Sequence, residues 1–189
     1  MKQHRLSQSQ RALRHYLAQG GVIAYATRAV FGLGCSPYSQ RGLKKLLSIK
    51  KRPSHKGLIV IAHQARELQK LHHPLTATEQ NRVNQAWPGP VTFLVPARQR
   101  CLPLVRGRHK SKKVAVRVDA HPDTLTLLRT IKMPITSTSA NLSGRRPIRT
   151  LRECHRQLGN KVKIISGRTL RHTQPSKIID LANDQIIRR

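Results

Sequence analysis

The chain has 189 residues, a length that suits one domain with a core of its own. Its composition is strongly basic, because 37 Lys and Arg residues against seven acids give a formal net charge of +30. The apolar runs are only a few residues long, which excludes a membrane-spanning helix, and the basic N-terminus lacks the apolar region of a secretory signal. We therefore expect a single domain over residues 1–189, located in the cytoplasm and without a membrane partner.

The charge is unevenly distributed, and the first 66 residues contain no acid. A surface this positive attracts polyanions by releasing their counterions, so RNA is an expected partner and anionic substrates are favoured. A compositional drift toward Arg and His without functional meaning would produce the same charge. Only six aromatic residues are present, which argues against a surface that recognises single strands by a ladder of stacked bases.

The three cysteines, Cys35, Cys101 and Cys154, lie far apart and form no CxxC pair. This spacing is typical of reduced thiols and not of a disulfide framework or a zinc site. The ten histidines show no metal-ligand spacing, so we predict no metal site built by the protein. Cys35 follows a glycine near the start of a predicted helix, where a thiolate would be stabilised. No partner histidine can be identified, and we predict a small buried residue.

The first half of the chain alternates between helical and extended patterns. An amphipathic pattern over residues 7–19 ends at Gly20-Gly21, which is typical of a helix with a glycine terminator. An apolar run at 22–25 predicts a buried strand, and a glycine-containing loop then leads to a second helix from about Ser39. The patterns further predict a strand at 58–62, helical stretches near 65–71 and 77–86, and a strand at 91–95.

The second half begins with its weakest segment, the basic and irregular residues 97–113. A strand is predicted at 114–118, a helix at 122–131 with Pro122 in its first turn, and a polar turn at 137–141. A helix near 150–158, a strand near 161–165 and short strands near 176–180 and 185–187 follow. Alternating strands and helices predict an α/β fold with a mixed, largely parallel sheet that helices cover on its faces.

Four polar or glycine-rich segments follow or flank predicted strands, at 26–34, 50–57, 87–92 and 137–144. Ligands of open α/β sheets bind where strands end and loops gather, so these segments are the candidate site. None of them contains a P-loop, and Gly32-Leu33-Gly34 lacks the third glycine of a dinucleotide fingerprint.

Two of these segments suit the binding of phosphate. Lys50, Lys51, Arg52 and Lys56 crowd the end of the second helix, either as solvated cations favoured by the helix dipole or as a phosphate clamp. Residues 137–141 combine three hydroxyls with one amide, either as an ordinary turn or as a set of donors for phosphate or carboxylate oxygens. The residues themselves leave both alternatives open.

Taken together and in this order, the segments resemble the YrdC-like family of L-threonylcarbamoyladenylate synthases in its short bacterial form. The matching stretches are ATRAVFGLG at 26–34, KKRP at 50–53 with Lys56 beyond, WPGPVT at 87–92, AVR at 115–117 with His121-Pro122 beyond, STSANLSG at 137–144, SKI at 176–178, and Arg188. The resemblance covers essentially the whole chain, and six ordered motifs are far more specific than any one of them.

The resemblance implies an enzyme, a nucleotidyltransferase that makes threonylcarbamoyl-AMP and pyrophosphate from L-threonine, bicarbonate and ATP. Its product would serve the threonylcarbamoyladenosine modification of tRNA next to the anticodon, through a downstream threonylcarbamoyltransferase complex. ATP would be a substrate with Mg²⁺ carried on it, and no prosthetic group is implied. The implied fold is a twisted open sheet with a basic concave cavity.

The resemblance also implies roles for individual residues. ATP would be bound by Lys50, Arg52, Lys56, Thr138, Asn141 and Arg188, and L-threonine by Thr27, Phe31, Arg117, Ser139 and Ser176. No catalytic acid or base is assigned, and Lys50 and Arg52 would act by positioning the triphosphate.

The chain departs from the family pattern in its first motif, where the family has Pro and Glu and this sequence has Ala26 and Arg28. If the family's carboxylate binds the threonine ammonium or a magnesium ion, Arg28 weakens binding. If that carboxylate mainly offsets neighbouring basic residues, the replacement has a small effect. The departure and the +30 charge motivate an alternative function, a non-catalytic RNA-binding or ribosome-maturation protein on the same fold. The intact motifs at 50–52 and 137–144 favour the enzyme, because a binder driven by charge alone has no need of them.

Overall fold

The computed structural model describes residues 7–107, 112–170 and 174–188. Its helices are α1 (Gln8–Ala18), α2 (Gln40–Lys50), α3 (Ala77–Ala86), α4 (Pro103–Arg106), α5 (Pro122–Ile131) and α6 (Leu151–Leu158). Its strands are β1 (Ile23–Ala26), β2 (Phe31–Gly34), β3 (Ile59–Ala62), β4 (Val91–Pro96), β5 (Lys113–Val118), β6 (Ile135–Ser139), β7 (Lys163–Ile164), β8 (Lys177–Asp180) and β9 (Ile186–Arg188). In these parts of the chain, no helix has the length and apolar character needed to cross a membrane.

Within the described residues, nine strands form one sheet in the order β7-β1-β2-β6-β3-β5-β4-β8-β9. The α/β class and the mixed sheet are confirmed. The share of parallel pairing is smaller than expected, since three pairings are parallel (β1–β7, β3–β5 and β4–β8) and five are antiparallel. The reason is that β2 and β6, which the sequence patterns did not predict, each run antiparallel to both neighbours.

Alternate residues of the central strands face two different cores. In β3, Val60 and Ala62 belong to a core shared with α2, α3 and α6, whereas Ile61 belongs to a second core shared with α1 and α5. This alternation is what a strand covered on both faces requires. Ile59, on the same face as Ile61, lines an open cavity, so α1 and α5 cover only part of the second face. The remainder of that face is the floor of the cavity.

Three sequence-based predictions of local structure are wrong. The predicted helix at 65–71 is a single 3₁₀ turn at Ala65–Glu67. The predicted glycine loop contains strand β2, and the predicted turn at 137–141 is largely strand β6. The glycines of β2 allow a close approach of strands, because a Cβ on Gly34 would lie 2.5 Å from the carbonyl oxygen of Thr136. Part of the irregular segment predicted at 97–113 lies outside the described residues, and Pro103–Arg106 forms the short helix α4.

Candidate functional site

An open cavity of about 810 Å³ occupies the part of the sheet that α1 and α5 leave uncovered. Its lining includes residues of seven strands, among them Ile59, Leu94, Ala115, Ser137 and Ile178. Loops that follow or precede those strands form the rim, and the start of α5 closes one side. The volume lies within the usual range for small-molecule sites and suits a nucleotide together with a small second substrate.

Eight of the eleven residues that the sequence assigned to ATP or threonine line this cavity. They are Thr27, Arg52, Lys56, Arg117, Thr138, Ser139, Ser176 and Arg188. The fold therefore brings together segments that are up to 161 positions apart in the sequence, from Thr27 to Arg188. The other three residues, Lys50, Phe31 and Asn141, lie beside the cavity or behind its wall.

Lys50 is the last residue of α2 and is only 3% exposed. Its ammonium group donates to the carbonyl oxygens of Ser139 (2.5 Å) and Asn141 (2.9 Å), and to the hydroxyl of Ser139 and the side-chain oxygen of Asn141. Burial, reinforced by the charge of Arg52, lowers the pKa of Lys50 to about 8. In this structure the side chain supports the end of β6, and its contact with phosphate stays a prediction.

Asn141 and Phe31, like Lys50, have contacts within the protein. The side-chain amide nitrogen of Asn141 donates to the carbonyls of Leu142 (3.0 Å) and Arg145 (2.5 Å) and so shapes the turn after β6. Phe31 is fully buried in the core shared with α2, because it alternates along β2 with Gly32, which does line the cavity. A motif identifies both residues, but the position of Phe31 along β2 decides which way its ring points.

Three guanidinium groups converge in the cavity from distant parts of the chain. Arg52 donates to the backbone carbonyls of Lys56 (3.0 Å) and Gly57 (3.0 Å). Arg188 donates to the carbonyl oxygen (2.7 Å) and hydroxyl (3.1 Å) of Ser176. Arg117 forms an ion pair with Asp119 and is, among the described residues, the one of the three that is paired with a carboxylate.

These guanidinium groups are close enough to repel one another. Burial lowers the pKa of Arg188, and the charges of Arg117 and Arg52 lower it further. Burial also lowers the pKa of Arg52. Like charges held together in a partly enclosed site cost free energy that an anionic ligand relieves. The cavity is therefore suited electrostatically to a ligand with several negative charges.

Asp119 and His121 are functional candidates that the sequence analysis did not assign. Asp119 is 5% exposed, and its second oxygen accepts the backbone N–H of His121 at 2.9 Å, so it holds both Arg117 and the start of α5. His121 caps α5 through Nδ1, which accepts the backbone N–H of Thr124 at 3.4 Å. Both residues line the cavity. The sequence does contain a signal for Asp119, because this residue is one of only seven acids and follows Arg117 by two positions.

The comparison with known families decides the classification. Residues 15–189 match the model of the Sua5/YciO/YrdC family, which carries the description "Telomere recombination". The chain belongs to the Sua5/YciO/YrdC family.

Relatives within this family cover nearly the whole chain. A protein of Methylobacillus flagellatus named threonylcarbamoyl-AMP synthase is 53% identical over 178 residues, which is 94% of this chain and 98% of that protein. A protein of Laribacter hongkongensis with the same name is 46% identical over 94% of this chain and 95% of its own length.

Solved structures of the family have the same fold. P. abyssi Sua5 complexed with L-threonine superposes with a TM-score of 0.83 at 26% identity over 95% of this chain. The present chain spans about half the length of that protein, 53%. E. coli YciO superposes with a TM-score of 0.80 over 98% of this chain and 92% of its own, and at 22% identity this likeness concerns the fold alone.

Of the two departures from the family's first motif, Arg28 lies at the rim of the cavity and Ala26 does not. Arg28 is exposed and lines the cavity, and its carbonyl oxygen accepts the backbone N–H of Leu170 at 2.8 Å. Ala26 is buried at the end of β1, where its carbonyl oxygen accepts the hydroxyl of Thr124 at 2.9 Å. The charge reversal at Arg28 therefore acts on the site directly, whereas Ala26 acts through the packing of the strand against α5.

The cysteines have no role at this site. All three are free and buried, and burial raises the pKa of each thiol to about 11. The prediction of a small buried residue at Cys35 is confirmed, and its thiol lies 3.4 Å from the hydroxyl of Thr136. Among residues 7–107, 112–170 and 174–188, no group of three or more His, Cys, Asp or Glu side chains is placed to hold a metal ion.

Proposed function

We propose that this chain is an L-threonylcarbamoyladenylate synthase, which makes threonylcarbamoyl-AMP and pyrophosphate from L-threonine, bicarbonate and ATP. The observation that carries the proposal is the convergence of Arg52, Arg117 and Arg188 in one cavity, where their mutual repulsion favours a polyanionic ligand. The names of the Methylobacillus and Laribacter relatives and the threonine bound to P. abyssi Sua5 support it. They do not favour a non-catalytic RNA-binding protein on the same fold.

The positions of the cations suggest how ATP lies in the cavity. Arg52 and Lys56 follow α2 at one side, and Arg188 approaches from the edge strand β9, so the triphosphate lies between them. Guanidinium groups suit this task because their planar donors match pairs of phosphate oxygens. Mg²⁺ would enter bound to the phosphates of ATP, as part of the substrate.

L-Threonine would bind near Thr27 and Ser139, which lie at the ends of the neighbouring strands β1 and β6 around β2. Ser176 lies beside Arg188, four strands away from β6. Arg117, held by Asp119, offers its guanidinium to the threonine carboxylate or to a phosphate. Thr138 lines the cavity as well, although it alternates along β6 with Ser137 and Ser139. The Ser137 and Ser139 side chains share one face of the strand, which places two hydroxyls together on the cavity floor.

The reaction needs positioning and positive charge more than a strong base. The amino nitrogen of threonine and bicarbonate form a carbamate with loss of water. A carbamate oxygen then forms a bond to the α-phosphorus of ATP, while the bond between that phosphorus and the oxygen bridging to the β-phosphate breaks and pyrophosphate leaves. Negative charge grows on the leaving phosphates, and preorganised cations such as Arg52 and Arg188 stabilise it.

The decisive experiment is to incubate the protein with ATP, L-threonine and bicarbonate and to follow pyrophosphate and the adenylate together. We expect both products in equal amounts, and neither when threonine is omitted. Arg52→Gln and Arg117→Gln should each slow the reaction at least tenfold, whereas Arg152→Gln, an exposed change on α6, should leave the rate unchanged. If the parent binds no ATP and releases no pyrophosphate, the proposal is wrong.

The proposal extends to the partners of the reaction. The product would pass to a downstream threonylcarbamoyltransferase complex for the modification of tRNA. The adenylate is a mixed anhydride that water hydrolyses, so transfer from this cavity to the next enzyme must be fast. Supplying purified adenylate to a transferase in the absence of this chain separates the two steps.

A further inference from the structure

A second cavity, of about 520 Å³, opens on the surface of the molecule. We call it the basic pocket. It is lined by parts of four segments, namely Arg14 and Ala18 of α1, the loop residues Ser36, Tyr38 and Ser39, Arg66, Glu67 and Lys70 after β3, and Lys132, Met133 and Pro134 after α5. None of these residues lines the candidate active site.

The basic pocket and the active site lie at opposite ends of the same elements. Ile59, the first residue of β3, lines the active site, and Arg66, four positions after the end of β3, lines the basic pocket. The same order holds for α5, where Pro122 begins the helix at the active site and Lys132 follows its last residue at the basic pocket. A helix of ten residues is about 15 Å long, so the two cavities are separate.

The charge of the basic pocket is not compensated locally. Arg14, Arg66, Lys70 and Lys132 come from three of these segments and are all exposed, and within the described residues none of them forms an ion pair. The one carboxylate of the pocket, Glu67, accepts from the ring of His63 at 2.9 Å. Lys132 lies at the C-terminal end of α5, where a cation is favoured by the helix itself. The other three have no such local reason.

The remaining lining suits a nucleotide. Tyr38 is 44% exposed, and Met133 and Pro134 add apolar surface beside it. Helix α2 begins at the pocket after its cap Ser39, and the free N–H groups of a helix start favour anions. The cavity volume of about 520 Å³ is many times the roughly 30 Å³ that one water molecule takes in the liquid. The cavity therefore has room for more than a single phosphate ion. An exposed ring among cations is the arrangement by which proteins hold unpaired nucleotides.

We propose that the basic pocket is a docking site for an unpaired segment of nucleic acid, in which a base stacks on Tyr38 and the flanking phosphates lie against Arg14, Arg66 and Lys70. The chemistry recognised is the phosphodiester chain with an unstacked base. The +30 charge of the protein adds long-range attraction, and the pocket determines where the strand lies. This site goes beyond the proposed adenylate synthesis and does not depend on it.

The test compares two triple variants with equal loss of charge. Arg14→Gln/Arg66→Gln/Lys70→Gln removes the pocket cations. Arg152→Gln/Arg156→Gln/Lys161→Gln removes three exposed cations on and after α6, which packs against the other face of the sheet. Binding of a fluorescein-labelled single-stranded RNA 12-mer is followed by anisotropy over a salt series. We expect the pocket variant to bind at least tenfold more weakly with a shallower salt slope, and the control to change less than threefold.

A single variant tests the stacking separately from the charge. Tyr38→Leu should weaken binding of the same RNA at least fivefold and leave the salt slope unchanged, because no phosphate contact is lost. A DNA 12-mer of the same sequence distinguishes the two sources of the strand. If the variants lose affinity equally for RNA and DNA, the pocket recognises the phosphodiester backbone and the base, which both strands share. If they lose affinity for RNA alone, the pocket recognises RNA. Either result supports the site.

Three other outcomes would contradict the docking site. An equal loss of RNA affinity in both triple variants would mean that the RNA binds diffusely over the surface. If the parent protein binds no RNA, the proposed docking site is wrong. Weaker binding of polyglutamate or anionic vesicles with unchanged RNA affinity would assign the pocket to another partner. Pyrophosphate release is measured for every variant and should stay at the parental rate, so a failure of the docking site is distinguishable from a failure of the proposed enzyme.

Discussion

The ammonium nitrogen of Lys50 lies 2.5 Å from the carbonyl oxygen of Ser139 and 2.9 Å from that of Asn141. One buried cation thus holds both ends of the segment in which β6 passes into the following turn. A buried ammonium needs several acceptors, and here backbone carbonyls supply them in place of a carboxylate. Because Ser139 lines the cavity, Lys50 acts on the site through the backbone that carries this hydroxyl.

We expect Lys50 and Arg52 to differ in the step that they affect. Lys50→Met removes the support of Ser139 and should lower kcat at least tenfold while changing the Kd for ATP less than threefold. Arg52→Gln removes a cation that lines the cavity and should weaken ATP binding at least tenfold, or about 1.4 kcal/mol. Calorimetric titration gives the Kd, and pyrophosphate release gives kcat.

The matched control for these variants is Lys45→Met, which makes the same change at an exposed position of the same helix. It should leave both quantities at the parental values. If Lys50→Met instead weakens ATP binding as strongly as Arg52→Gln and leaves kcat unchanged, Lys50 contacts the nucleotide directly.

Arg28 at the rim of the cavity places a positive charge where the family motif has a carboxylate. A positive charge that lines the cavity opposes the entry of the threonine ammonium. Arg28→Glu should therefore lower the apparent KM for threonine several-fold and change that for ATP less. Steady-state kinetics with each substrate varied in turn measures both. An unchanged threonine dependence would show that the charge at this position is screened by solvent.

The two glycines of β2 should respond differently to alanine. At Gly34 the added Cβ would lie 2.5 Å from a backbone carbonyl, that of Thr136, so strands β2 and β6 must separate. At Gly32 the nearest atom, at 2.9 Å, is a methyl group of Thr27, which is able to move. Gly34→Ala should lower the free energy of unfolding by about 1–3 kcal/mol, and Gly32→Ala by less. Urea denaturation compares them, and equal losses would contradict the explanation.

The buried thiols make stability sensitive to alkaline pH. Burial raises the pKa of Cys35 from 9.0 to about 11, so between these values the unfolded chain binds fewer protons than the folded one. The contribution of the neutral thiol is complete below pH 9 and is lost as pH rises through 11. The stability advantage of the parent over Cys35→Ala should therefore shrink by about 2 kcal/mol between pH 8 and pH 10.5. Urea denaturation at pH 8 and pH 10.5 measures it, and a constant difference would mean that the thiol ionises normally.

The helices were predictable because their signals are local. Helix α3 has a capping box between Thr76 and Glu79, and α5 begins at Pro122, so the sequence itself marks their ends. Strands β2 and β6 carry no such signal, since one consists half of glycine and the other ends in three hydroxyl residues. Their extended conformation depends on pairing with each other across a long stretch of chain. Local patterns cannot report that pairing.

The site was predictable to the level of segments but not of side-chain directions. The motifs identified the segments that line the cavity, and eight of the eleven predicted residues line it. Phe31 points into the core because a residue of a two-faced sheet points to one side only, and its neighbour Gly32 has the side that faces the cavity. Lys50 contacts carbonyl oxygens in this structure, and a cation at a helix end meets such oxygens as readily as phosphates. The sequence does not distinguish these acceptors.

The pairing of β2 with β6 has a consequence for the chain as it emerges from the ribosome. Gly32 pairs with Ser139, which is made 107 positions later, roughly 5–20 s at ordinary rates of synthesis. During that time the β1–β2 hairpin has an unpaired edge, and such edges pair readily with other chains. The first 66 residues contain no acid, so nascent chains that expose this edge all carry positive charge and repel one another. The same charge that attracts polyanions thus protects the protein from aggregation before it has folded.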